Sequence, residues 1–231
     1  MNKNRWHHII GNNTGHLLSE EFGGGEFVAA LLRMPETQAV TVLEIADTLM
    51  ANLRQIPSYG TILGDPRVHI VVEDARRHLQ RNAETYDVVL MDPLFPTTAY
   101  ANNLYSKEFF ELLRGRLKPG GVMMTWFSEY MVIPRTLARV FPEMKCFSYF
   151  CLSGNAPLQQ NEVRRTRFMA TVAPTLRQAM LTRMNADVYE QGARDETLER
   201  TTGYPINTDF GPVTEYYLGF RPSPRPTAPP R

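Results

Sequence analysis

The run Asp87-Val88-Val89-Leu90-Met91-Asp92-Pro93 is apolar without alternation, begins on an acid, and stops at an acid followed by proline. It is too short for a helix and too uniformly apolar for a strand with one wet face. It therefore reads as a short strand buried on both sides, the kind found inside parallel sheets. Three similar runs surround it: Val40-Thr41-Val42-Leu43-Glu44-Ile45, Val68-His69-Ile70-Val71-Val72 and Gly121-Val122-Met123-Met124-Thr125-Trp126-Phe127. Helical patterns lie between them. Phe27, Ala30, Leu31 and Met34 share one helical face, and Pro35 ends it. Ser106 reads as the N-cap of a helix carrying Phe109, Phe110, Leu112, Leu113 and Leu117, closed by Lys118-Pro119-Gly120-Gly121. Strands alternating with helices imply right-handed crossovers and a doubly wound α/β sheet.

The flanks are less regular. A first strand fits at His16–Phe22, directly before Gly23-Gly24-Gly25, or at His7-His8-Ile9-Ile10 before Gly11-Asn12-Asn13-Thr14-Gly15. The first register is preferred, because the second leaves too long a gap before Glu44. Lys145–Leu152 and Arg167–Val172 both read as strands, joined by Ser153–Leu158 into an antiparallel edge hairpin. A helix is expected over about Pro174–Asn185. The end, Arg221–Arg231, is proline-rich and reads as a disordered tail after a single domain spanning 1–220.

Composition narrows the class of partner. The chain has 231 residues, a net charge of +1, 43% hydrophobic and 21% charged residues. These values suit one soluble core and give no electrostatic footprint for nucleic acid. No apolar run approaches the ~20 residues of a bilayer span, and the start lacks a signal-peptide core. The two cysteines, Cys146 and Cys151, read as plain thiols without metal-ligand spacing, which fits a reducing, cytoplasmic setting. No metal is expected.

In doubly wound sheets ligands sit beyond the carboxyl ends of the strands. Glu44, Asp74 and Asp92 fall at three successive strand ends, and Gly23-Gly24-Gly25 precedes the first helix. Singly, each acid also fits a helix cap and the glycines an ordinary loop. Together they suit a nucleoside, with Glu44 accepting from both ribose hydroxyls and Asp74 from an adenine amine.

The ordered set of segments Gly23–Phe27, Val42–Ile45, Gly64–Val68, Val72–Ala75, Tyr86–Pro93, Asn103–Leu113 and Leu117–Val122 resembles the spermidine synthase family of aminopropyltransferases. The closing Asn207-Thr208-Asp209 with Glu215-Tyr216 resembles the end of bacterial domains of that type. The resemblance implies a Rossmann-like class I methyltransferase fold, a mostly parallel seven-stranded sheet with an antiparallel last strand. It also implies decarboxylated S-adenosylmethionine as donor and a small amine as acceptor, and a homodimer is compatible with it. It gives donor contacts to Gly23, Gly24, Gly25, Glu26, Glu44, Asp74 and Ala75, and makes Asp92 the catalytic carboxylate. Tyr100, Asn103 and Tyr105 are expected to line the acceptor side.

Two departures from the family pattern stand out. The family's second acid after the fourth strand is replaced by Phe95, before Pro96. Loss of one such charge-assisted contact removes roughly 1.5–3 kcal/mol. In addition, about twenty residues precede Gly23, against the longer β-hairpin region of the family, with at most one domain's worth of chain in all. A methyltransferase using intact S-adenosylmethionine and a catalytically silent nucleotide-binding module are the alternatives.

Overall fold

A computed structural model describes residues 15–19, 22, 25–93, 95–127, 130–147, 149–159, 161–175, 177–178 and 193–215. The first half runs β1 (His16–Ser19), α1 (Glu26–Leu32), β2 (Ala39–Leu43), α2 (Asp47–Leu53) and α3 (Pro57–Leu63). It continues through β3 (Val68–Val71), α4 (Ala75–Arg81) and β4 (Tyr86–Met91). A 3-10 turn (Ala101–Leu104) then leads to α5 (Lys107–Arg114), β5 (Leu117–Trp126) and α6 (Val132–Val140). The described elements close with β6 (Glu143–Cys146), β7 (Phe150–Gly154), α7 (Glu162–Thr171) and α8 (Arg194–Arg200).

Seven strands pair in the order β3-β2-β1-β4-β5-β7-β6. Neighbours from β3 to β5 are parallel, and β7 is antiparallel to both β5 and β6. This is the Rossmann-like sheet with an antiparallel last strand that the resemblance implies. The first strand uses the register before the glycines, with Leu17, Leu18 and Ser19 buried.

All six residues of β4 are buried, which explains why its run lacks alternation. Side chains still leave a strand on opposite faces in turn. Leu17, Val42, Val88, Leu90 and Val122 pack with Val28, Leu31 and Phe168 on one face. Leu18, Leu43, Val89, Met91 and Met123 pack with Phe109, Phe110, Ile133 and Leu137 on the other. Each such side chain contributes about 1.5–3 kcal/mol by leaving water. The two acids bounding the β4 run lie at opposite ends of the strand. Asp87 is 4% exposed, and its Oδ2 accepts from His16 N at 2.8 Å and Lys118 Nζ at 2.9 Å, tying the starts of β1, β4 and β5 together. Asp92 lies at the carboxyl end.

Several expectations are corrected. The helix after Ser106 ends at Arg114, and Leu117 through Gly121 belong to β5 rather than to a helix closure. There the backbones come so close that a Cβ on Gly121 would lie 2.9 Å from the Tyr86 carbonyl oxygen. The edge hairpin is real but is formed by β6 and β7 within the single run read as one strand. The chain reverses at Phe147–Tyr149, where Phe147 N donates to Phe150 O at 2.8 Å. Aromatic residues there, with Phe147 and Phe150 stacked at 4.6 Å, hid the turn because they lack the usual turn chemistry. Arg167–Val172 is not a strand. Its residues up to Thr171 belong to α7, capped by Asn161 accepting from Arg164 N, and its apolar side chains cover the sheet as helix residues.

Cys146 and Cys151 are disulfide-bonded, against the expectation of two thiols. The β6–β7 register makes them direct partners across the hairpin, a proximity that sequence spacing alone does not reveal. The inference from free thiols to a reducing compartment lapses with it. Most of the expected helix over 174–185, and the tail over 221–231, lie outside the described residues. Among the described residues no helix is long and apolar enough to cross a membrane.

Candidate functional site

The sheet's switch point lies between β1 and β4, because β1 pairs β2 on one side and β4 on the other. Loops leaving these strands diverge and open a crevice at their carboxyl ends. Glu44 follows β2 into it and is 7% exposed. Its Oε1 accepts from Ala46 N at 2.9 Å and its Oε2 from Phe22 N at 3.3 Å, so it fastens the exits of β1 and β2 together. A carboxylate has about four acceptor positions, and two are engaged by the described residues.

Gly25 caps α1 in the left-handed region, at φ 71°, with its N–H bonded to Phe22 O at 2.8 Å. A Cβ there would lie 2.9 Å from Phe22 Cζ, so both backbone angle and space require glycine. Glu26 is exposed in the first turn of α1. Gly23 and Gly24 lie outside the described residues.

Asp74 is exposed and caps α4, its Oδ1 accepting from Arg77 N at 2.8 Å, and Ala75 is buried behind it. Two residues missed in the sequence lie on the same part of the rim. Ile45 is 73% exposed and Val72 47% exposed, each just past the end of its strand. Leu43 and Val71 are register partners, so these two apolar side chains flank the strand ends that carry Glu44 and Asp74. The sequence reads both as strand residues, and only the observed strand ends at Leu43 and Val71 show that they face no core.

On the other side of the switch point Asp92 follows β4, partly buried. Tyr105 is 2% exposed in the core, and its hydroxyl donates to Pro93 O at 3.3 Å, next to Asp92. Tyr105 thus supports the loop from below. Tyr100 is 78% exposed and holds a positive φ of 67°, and Phe95 is 66% exposed. Asn103 is exposed, and its carbonyl accepts from Arg76 Nη1 at 3.1 Å.

That arginine belongs to a network the sequence did not reveal. Arg76 forms a two-pronged ion pair with Asp209, with Nη1–Oδ1 at 2.7 Å. The hydrogen bond from Arg76 holds the Asp209 carboxyl below its ordinary value against the opposing effect of burial. The same bond raises Arg76. Glu215 Oε1 accepts from Asn102 N at 2.9 Å, and Asn207 O accepts from Lys107 N at 2.8 Å. Among the described residues no cluster of three His, Cys, Asp or Glu side chains could hold a metal ion.

The family model described as the spermine/spermidine synthase domain matches residues 13–146, which carry β1 to β6 and all three strand-end acids. The chain belongs to this family. A polyamine aminopropyltransferase of Bacillus subtilis is 26% identical over 144 residues, covering 59% of this chain and 52% of the relative. One from Mycobacterium tuberculosis is 28% identical over 203 residues, covering 78% of this chain and 38% of the relative. The chain thus spans about half or less of the length of the curated relatives it matches. Among solved structures, a spermidine synthase in complex with the transition-state analogue AdoDATO superimposes with a TM-score of 0.58 at 16% identity. That match covers 74% of this chain and 71% of the other. Human methyltransferase-like protein 13 in complex with SAH gives 0.51 at 16% identity, covering 85% of both chains. Both similarities establish the shared methyltransferase-like fold.

Proposed function

We propose that this chain is a transferase that binds decarboxylated S-adenosylmethionine at the β1–β3 side of the rim and moves its aminopropyl group to a small amine. The observation that carries this reading is Glu44. A buried carboxylate at the switch point, held by two backbone N–H groups with acceptor positions remaining, suits the paired hydroxyls of a ribose. Asp74 accepts the adenine amine through the oxygen not engaged in its cap, and Ile45 and Val72 give the purine ring an apolar bed. Gly25 lets the α1 end of the chain come close to the donor. Membership of the family and the names of its relatives favour aminopropyl transfer over the alternatives.

The donor supplies a sulfonium, already a good leaving group, so the protein's part is alignment and proton removal. Asp92 orients the acceptor amine and takes its proton, since an ammonium has no lone pair. The nitrogen lone pair forms the new C–N bond as the C–S bond breaks, and methylthioadenosine leaves. Phe95, exposed where the family carries a second acid, favours an acceptor with fewer positive charges than a polyamine.

Calorimetric titration with decarboxylated S-adenosylmethionine, S-adenosylmethionine and methylthioadenosine, side by side, tests the reading. Tighter binding of the decarboxylated donor is expected. Preference for the intact donor would transfer the reading to methyl transfer, and binding of none would leave a silent module.

A further inference from the structure

The segment 206–215 crosses the loop after β4 and is joined to it by a series of hydrogen bonds. Glu215 Oε1 accepts from Asn102 N, Thr208 O accepts from Asn102 Nδ2 at 3.1 Å, and Asn207 Nδ2 donates to Tyr105 O at 3.1 Å. Asn207 is 0% exposed and is itself locked, its N–H donating to Thr136 Oγ1 and its Oδ1 accepting from Val213 N. Asp209 N donates to Glu108 Oε2 at 3.0 Å. Phe210 is fully exposed, while Ile206 and Val213 are partly buried. Hydrogen bonds to backbone fix where a loop lies rather than how much surface it hides.

One side chain links this segment to the opposite side of the rim. Arg76 stands two residues after Asp74 on α4, and its guanidinium reaches across to Asn103 O, to Ser106 Oγ at 3.4 Å and to both oxygens of Asp209. Ser106 in turn caps α5 by accepting from Phe109 N. The ring of Phe109 lies under the same guanidinium, 5.9 Å away. The planar fork of arginine is what lets one group satisfy a carboxylate and two loop oxygens together.

We propose that Asn207, Asp209 and Glu215 form a strap that positions the acceptor loop, with Arg76 as the positioning residue that sets its distance from the donor side. The strap touches the backbone of Asn102, Tyr105 and Lys107, downstream of Asp92, so its effect falls on alignment of the acceptor with the donor. This rests on the aminopropyl-transfer reading, and it extends that reading to residues outside the rim.

The test uses the full chain with Arg76→Lys, Asp209→Asn and Glu215→Gln, and three readouts. Turnover should fall by roughly tenfold to a hundredfold, the cost of small misalignment. Affinity for methylthioadenosine should stay within about twofold, as expected of groups that do not touch it. Arg76→Lys should show this loss of turnover although it keeps the charge. Amide exchange at Asn102 should quicken by about tenfold in a further variant, Glu215→Ala, which removes the carboxylate that the Asn102 N–H donates to, the value of one lost hydrogen bond. A lowered melting temperature with turnover per folded molecule unchanged would reduce the strap to a stabilising element and overturn the proposal, as would unchanged exchange. Glu215→Gln keeps an acceptor oxygen and provides a milder variant should Asp209→Asn fail to fold. If the parent protein transfers no aminopropyl group, the functional reading fails on its own, while the exchange measurement still judges the strap.

Discussion

On the β1–β3 side of the rim, polar groups are fixed by near neighbours in the chain. Glu44 is bonded to Ala46 two residues on and to Phe22 across one crossover, and Asp74 to Arg77 three residues on. On the β4 side, the loop after Asp92 is held from the far end of the sequence. Its bonds to Asn207, Thr208 and Glu215 span 102 to 113 residues, and Arg76 meets Asp209 across 133. The β1–β3 side is therefore a local construction on a parallel sheet, and the β4 side an assembly of distant pieces. On the proposed function, a common donor fits the first, because the same strand ends can be kept while acceptors change. The second leaves acceptor choice to elements that can vary without disturbing the sheet.

The contrast can be broken most directly at Asp92. Asp92→Asn should lower turnover by about 10²–10⁴, the range for losing a general base, while methylthioadenosine affinity measured by calorimetry stays nearly unchanged. Loss of binding instead would put Asp92 among the donor contacts and blur the division. Glu44→Ala should do the reverse, weakening every nucleoside by roughly tenfold to a hundredfold, since a charge-assisted pair is lost. Unchanged affinity would remove the donor site from the switch point. Gly25→Ala should cost about 1–2 kcal/mol through its left-handed backbone alone, with the Phe22 contact added, and this is read as a lower denaturation midpoint.

The smallest effect is a pH dependence of the β4 side. Asp209 is depressed by its hydrogen bond to Arg76, so its contribution is complete above the ordinary carboxylate value near ~4 and is lost as pH falls through the lowered one. Melting temperature followed from pH 7 into this acid range, on the order of pH 3–4, should fall less steeply in Asp209→Asn than in the parent. Equal slopes would mean the pair contributes nothing to folding. Asp65, held at about 2 by its hydrogen bonds from Arg67, keeps its charge through most of this range and belongs to the background of both proteins.

Much of this was legible in the residues. The β4 run announced a doubly covered strand, and the acids at strand ends marked the rim. Ser106 was read as a cap and is one. What failed was read from composition without a turn signal. Cys146–Cys151 looked like part of a strand because Phe147, Tyr149 and Phe150 carry β propensity, yet these residues make the reversal. Arg167–Val172 has strand-like residues too, but Asn161 caps a helix there and the sheet needed a cover rather than an eighth strand. Ile45 and Val72 were counted as strand residues, and their exposure became visible only where the strands end.

By itself the sequence determined the parallel strands, their order of acids and the starts of α1 and α5, because periodicity, capping and strand-end chemistry act over a few neighbouring residues. Tertiary structure alone decided the disulfide, the hairpin turn and the strap from Asn207 to Glu215. Each depends on which distant surfaces meet once the sheet has formed. Nothing in the local pattern of Arg76 or Asp209 says that their side chains will share one ion pair.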